Sequence, residues 1–173
     1  MKQPLVTTKE LVIMAALTAV LLLQKQLLTF LPNVTLNFFL ILLYTKCLGL
    51  GRTAAIVTVY LLLDSILWGS LNPIFTTAQW IGWMAGPFIT TAFLKKTEDS
   101  ILLSFANAGF AFLYSWVMIV PTAFVYTNQM RTLWAYILSD IPWELMLAAS
   151  AFIPTLFLYE PLAGLLRSLW RKK

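Results

Sequence analysis

Apolar runs separated by short polar or helix-breaking clusters cover nearly the whole chain. The first begins after Lys9-Glu10 and reaches Leu31, where Pro32-Asn33 stops it, with Gln24-Lys25-Gln26 interrupting its last third. The second, Val34 to Leu50, ends at Gly49-Leu50-Gly51-Arg52, and the third, Thr53 to Leu71, ends at Asn72-Pro73. The fourth, Ile74 to Leu94, is closed by Lys95-Lys96-Thr97-Glu98-Asp99, and the fifth, Ile101 to Tyr126, by Thr127-Asn128-Gln129-Met130-Arg131. The sixth runs from Leu133 to about Tyr159 through Pro142 and Pro154. A helix needs about 20 apolar residues to cross a bilayer core, and Gly, Pro and polar clusters are where such helices stop. The pattern therefore predicts an all-α membrane protein, a single domain of six transmembrane helices at 10–31, 34–50, 53–71, 74–94, 101–126 and 133–159. Residues 160–173 read as a basic tail, with Trp170 and Arg171-Lys172-Lys173 at the interface. The first run is too long for a signal-peptide core and lacks a cleavage-like boundary, so it reads as a retained helix.

Charge orients these helices. Short cytoplasmic loops collect Lys and Arg, and Lys2, Lys9, Lys46, Arg52, Lys95, Lys96, Arg167, Arg171, Lys172 and Lys173 all fall on one side, ten of the twelve basic residues. Arg131 falls on the other side and Lys25 lies within a span. Both termini are expected in the cytoplasm, and a wrong helix count would scramble this segregation.

Composition narrows the function. The 173 residues are 60% hydrophobic and 11% charged, with mean hydropathy +0.82, against the roughly 25% charged of a soluble domain. Six spans leave room for no nucleotide-hydrolysing or soluble catalytic domain, so energy must come from an ion gradient or separate subunits. The net charge of +5 is accounted for by the loops and implies no nucleic-acid partner. Cys47 is a single cysteine and there is no histidine, which excludes an intrachain disulfide and removes the commonest metal ligand and general base. No phosphate-binding glycine loop and no serine with a plausible base is present. No metal and no cofactor is expected.

Ionisable groups inside a bilayer are costly and face a cavity or a partner. Lys25 lies near the outer end of the first helix, Asp64 about two turns before the outer end of the third, and Asn72 at that end. Gln79, Trp80 and Trp83 lie in the outer half of the fourth helix, and Asp140 and Glu144 in the outer half of the sixth. The inner half holds little beyond Asn107. Tyr60, Asp64 and Trp68 recur at i, i+4, i+8; Thr76, Gln79, Trp80 and Trp83 make a second stripe and Asp140 with Glu144 a third. Polar atoms among aromatic rings suit a small organic ligand, so Lys25, Asp64, Trp68, Asn72, Gln79, Trp80, Trp83, Asp140 and Glu144 are the expected substrate-binding residues above an apolar floor. Lys25 is expected to pair either with Asp64, Asp140 or Glu144 or with an anionic substrate group; the acidic crowding of the same leaflet favours the substrate. Trp134, Trp143 and Trp170, near span ends, read as interfacial anchors. Gly82 and Gly86 form a GxxxG expected to pack helices within the bundle, and Ala15 and Ala19 present a flat face that packs internally or docks an external helix.

Thr8-Lys9-Glu10-Leu11-Val12-Ile13-Met14-Ala15-Ala16-Leu17-Thr18-Ala19, Leu31-Pro32-Asn33-Val34, Asp140-Ile141-Pro142 and Tyr159-Glu160-Pro161-Leu162 together resemble segments of the membrane-embedded substrate-binding S components of energy-coupling factor (ECF) transporters, bacterial vitamin importers. The resemblance implies six helices in the bacterial cell membrane, a ligand site near the outer surface, and Ala15 and Ala19 contacting a transmembrane coupling protein that carries two ATPases. The connection after the first helix, a lid in several members, is reduced here to Pro32-Asn33. The expected function is capture of a vitamin-like small molecule for an ATP-driven importer, not enzymatic catalysis. Two other readings remain: a membrane enzyme using Asp64, Asp140 and Glu144 on a lipid-linked substrate, and a stand-alone proton-coupled carrier.

Overall fold

The computed structural model describes residues 7–69, 72–126 and 130–171. Lys2, Leu71, Thr127, Asn128, Gln129, Lys172 and Lys173 lie outside them. The described residues form six helices and no strand: α1 Thr8–Leu27, α2 Asn37–Leu48, α3 Leu50–Leu67, α4 Pro73–Phe93, α5 Ser100–Tyr126 and α6 Met130–Arg171. Four of them hold stretches long and apolar enough to cross a membrane: α1, α3, Ser100–Ile119 of α5 and Ile137–Trp170 of α6. The α2 helix is apolar but has only 12 residues, about 18 Å at 1.5 Å per residue. In α4 the threonines 76, 77, 90 and 91 and Gln79 dilute the apolar run.

Local signals set the helix ends. Thr7 and Glu10 form a capping box that starts α1, each side chain bonding the other's backbone N–H. Asn72 accepts the Ile74 N–H and puts Pro73 at the first position of α4, where a missing N–H costs nothing. Gly49, at φ +85°, joins α2 to α3 through a backbone conformation that side chains with a Cβ disfavour.

Helix α2 is the axis of the bundle. Every residue from Asn37 to Thr45 is buried, and α2 packs against all five other helices. A short helix buried on all sides can be apolar all round without a polar face, which explains why its sequence carries no amphipathic stripe. Helix α1 is peripheral: Thr18, Leu21 and Gln24 are its buried residues, and it packs chiefly against α3 and, less, against α2. Ala15 and Ala19 are exposed on its outward face, beside Leu11, Val12 and Leu23.

One end of the bundle is pinned by charge. Arg52 pairs with Glu10 at 2.8 Å and lies 5.0 Å over the Trp170 ring. Lys46 donates to the carbonyls of Leu94, Lys95 and Thr97, closing the end of α4. Glu98 accepts hydrogen bonds from Tyr159 and Arg167, both at 2.8 Å, and faces Lys46. Burial pushes the Glu98 carboxyl up, but these partners outweigh it and hold the group below its ordinary value.

The sequence places a tail at 160–173, whereas α6 continues as one helix of 42 residues to Arg171 through Pro142, Pro154 and Pro161. Beyond the sixth apolar run, Ala163 and Leu166 still fill the core, and Arg167 is tied to Glu98. Those contacts keep the chain helical past Pro161. The connection between α1 and α2 also differs from expectation. It is the whole segment 28–36, because α1 ends at Leu27 and α2 starts at Asn37. Asn33, at φ +55°, takes the left-handed conformation that Asn tolerates and turns the chain back.

Candidate functional site

At the end of the bundle opposite Arg52 lies a cavity of about 310 Å³. The α1–α2 segment covers it through Leu28, Thr29, Leu31, Pro32, Asn33, Val34 and Thr35. Its wall comprises Lys25 of α1, Asn37 and Phe38 of α2, Tyr60 of α3, Gln79 and Trp83 of α4, Tyr114 of α5 and Leu147 of α6. Every helix contributes, so the site depends on the complete bundle.

The rings form one face. Phe38 sits 4.8 Å from Trp83 and 5.6 Å edge-on to Tyr114, and Trp83 lies 4.3 Å from Tyr114, separations at which aromatic pairs attract beyond simple burial. Phe110 closes the stack from below, 5.4 Å from Phe38. Space for it comes from α4. A Cβ on Gly82 would meet Tyr114 Cδ2 at 2.9 Å, and one on Gly86 would overlap the Phe110 ring. The GxxxG pair thus packs α4 on α5 and seats two rings of the site's floor.

Polar side chains form the opposite face. Gln24 of α1 donates to Asn37 Oδ1 and to the Leu21 carbonyl, and accepts the Leu36 N–H at 2.9 Å. Asn37 Nδ2 donates to Tyr60 Oη at 2.7 Å. This chain links α1, the covering segment, α2 and α3. Gln79 Nε2 reaches Tyr114 Oη at 3.5 Å, joining α4 to α5. Lys25 Nζ lies 2.6 Å from Asp64 Oδ2. Asp64 is 4% exposed, while the Lys25 side chain keeps 31% exposure. Among the described residues Asp64 Oδ1 is buried without a partner, and so is Trp83 Nε1, which lies beside the Tyr114 hydroxyl but outside hydrogen-bonding geometry.

Of the residues expected from sequence, the structure brings Lys25, Gln79 and Trp83 to the cavity and Asp64 behind it. Trp68 is 54% exposed and does not line the cavity: it caps α3, its N–H still bonded to the Asp64 carbonyl, one turn beyond the residue that stands behind the wall. Trp80, one residue from Gln79 and therefore about 100° round the helix, faces the α3 seam instead. There it is 39% exposed, donates to Thr58 Oγ1 at 2.9 Å, and lines a separate groove with Thr76 and Thr77. Asn72 caps α4. Glu144 is buried between α5 and α6, accepting from Ser115 Oγ at 3.0 Å, and neither it nor half-buried Asp140 lines the cavity. The pairing of Lys25 with Asp64 is the alternative that acidic crowding disfavours, and Lys25 on the last turn of α1 reaches Asp64 because α1 packs on α3.

Sequence reasoning missed Phe38, Tyr114, Gln24, Asn37 and the covering segment. Asn37 and Gln24 were legible as polar residues inside apolar runs; the two rings carry no sequence mark that separates a site wall from a core. Among the described residues no three His, Cys, Asp or Glu side chains group as a metal site.

No family model, characterised protein or solved structure is significantly similar to this chain.

Proposed function

We propose that this protein is the substrate-capture subunit of an ATP-driven importer of the energy-coupling factor type. It spans the bacterial cell membrane six times with both termini in the cytoplasm, and takes a vitamin-like small molecule from outside. The observation that carries this reading is the cavity at the Lys25 end: one-sided, ring-walled, with a few convergent polar groups, roofed by the α1–α2 segment. Such a lining is what small organic ligands require. The basic loops lie at the opposite end, which the positive-inside rule assigns to the cytoplasm, so the cavity opens outward. The exposed Ala15 and Ala19 offer a coupling protein a face on which helices can approach closely.

The enzymatic alternative needs carboxylates that converge, and these do not: Asp64 is tied to Lys25, and Glu144 to Ser115 across another seam. A proton-coupled carrier needs ionisable groups in series across the bilayer, and no observation favours one here.

Native mass spectrometry of the purified protein, searching for a co-purified small molecule, tests capture directly. Trp83→Leu is expected to remove ligand-dependent fluorescence quenching and to weaken binding by about 1 to 3 kcal/mol, whereas Trp80→Leu, in its separate groove, leaves both unchanged. Equal effects of the two variants would move the site out of this cavity. Enlarging Ala15 and Ala19 to Trp is expected to leave binding by the isolated protein intact and to abolish uptake in cells. Lost binding would assign that face to packing within the bundle.

A further inference from the structure

We propose that the cavity selects an electrically neutral, flat ring compound with hydrogen-bond acceptors on its edge, and rejects anions and cations of the same shape. This rests on the reading of the cavity as a ligand site and adds the chemical class of its ligand.

Among the described residues Lys25 is the one charged side chain in the cavity wall; α2, α3, α4, α5 and α6 bring Asn37, Tyr60, Gln79, Trp83, Tyr114 and Leu147. Its charge is cancelled at 2.6 Å by Asp64. An anion entering beside Lys25 either displaces Asp64 or adds a second negative charge next to it. Displacement is costly, because Asp64 is almost completely buried and, among the described residues, its other oxygen already has no partner; a buried carboxylate stripped of its counter-charge is strongly destabilising. A cation fares no better. Of the nearby carboxylates, Asp64 is already paired and stands behind the wall, and Glu144, one turn from Leu147, is buried against Ser115 and does not line the cavity.

Hydrogen-bonding capacity points to the ligand's edge. The Tyr60 hydroxyl accepts from Asn37 and the Tyr114 hydroxyl accepts from Gln79, so the O–H of each remains to be given, and among the described residues neither has an acceptor. Lys25 keeps N–H groups beyond the one facing Asp64. Asn33 of the covering segment adds its own amide N–H groups, so donors outnumber the side-chain amide acceptors facing them, Gln79 Oε1 and Asn33 Oδ1. A ring bearing a carbonyl or ring nitrogen takes these donors, while its face lies against the Phe38–Trp83–Tyr114 stack. Polar sites built to bond a ligand reject analogues that leave their groups unpaired.

Benzamide, benzoate and benzamidinium share shape and differ in charge, so they test this directly. Ligand-observed NMR would rank them on the wild type, Lys25→Met, Asp64→Asn and the double variant. The wild type and the double variant, both neutral at this position, are expected to bind benzamide about tenfold or more tighter than either ion. Asp64→Asn frees the ammonium and is expected to shift preference to benzoate; Lys25→Met frees the carboxylate and is expected to shift it to benzamidinium. Wild-type preference for either ion overturns the charge inference and leaves the ligand site standing. An identical ranking in all four proteins also overturns it, by placing the probes away from the pair. No binding of any probe to the wild type or the double variant overturns both the inference and the ligand site. Should a single variant fail to fold, the ranking on the wild type and the double variant decides.

Discussion

Lys25→Met is expected to lower the stability of the ligand-free protein by about 2 kcal/mol, and Asp64→Asn introduced beside it is expected to restore most of that loss. The cost falls on the partner left behind. Methionine fills the volume of the lysine stem, so packing survives, but Asp64 then has neither oxygen bonded at a depth water scarcely reaches. Breaking a fully buried pair costs about 3 to 5 kcal/mol; the figure here is smaller because Lys25 retains solvent contact and screening already weakens the pair. The converse change is milder. After Asp64→Asn the ammonium can extend toward water on its flexible stem and still belongs to the last turn of α1, where a cation is favoured. Thermal unfolding in detergent without ligand therefore ranks wild type and the double variant above Asp64→Asn, and Lys25→Met lowest. Equal melting of Lys25→Met and wild type would mean that the pair holds nothing together.

That pair illustrates what the chain discloses before it folds. Depth is legible: a short acidic side chain in the middle of an apolar run cannot reach water, so Asp64 must meet a partner, and Lys25 is the one cation in the corresponding half of a span. The number of helices and most of their ends are legible for the same reason, since Pro, Gly and charge stop an apolar helix wherever they cluster. Rotation about each helix axis is not. In a chain apolar on all faces, lipid and protein neighbours look alike to the sequence, so nothing marks Gln79 and Trp83 as inward and Trp80 as outward until α4 is seated on α5. Trp68 fails for another reason: it keeps the helical bond to Asp64 but caps the end of α3, where its ring is exposed a turn beyond the residue that stands behind the wall. The covering segment hides because Leu28, Leu31 and Val34 read as continuations of the flanking runs, although they roof the cavity rather than cross a bilayer.

Gly86 is the position where one methyl group is expected to disturb the fold and the site together. A Cβ there would lie 2.5 Å from Phe110 Cζ and 2.7 Å from Cδ1, so the ring must leave its place under Phe38. Phe38 is fully buried and also contacts Trp83 and Tyr114, so the displaced ring either pushes Phe38 toward the ligand cavity or turns into the space beside Ile41 and Leu113 and leaves the stack. Overpacking of this kind costs about 1 to 3 kcal/mol, and the disturbed stack transmits it to the cavity wall. Gly86→Ala is therefore expected to lower the melting temperature and to weaken ligand binding in the same variant. Gly109 supplies the control, since a Cβ added there meets nothing within 4 Å and alanine improves helix propensity, so Gly109→Ala is expected to be neutral or stabilising. Adding Phe110→Leu to Gly86→Ala removes the clash and is expected to recover part of the stability. If Gly86→Ala melts and binds like wild type, α4 and α5 do not approach as closely as the ring stack requires, and the floor of the cavity is built differently.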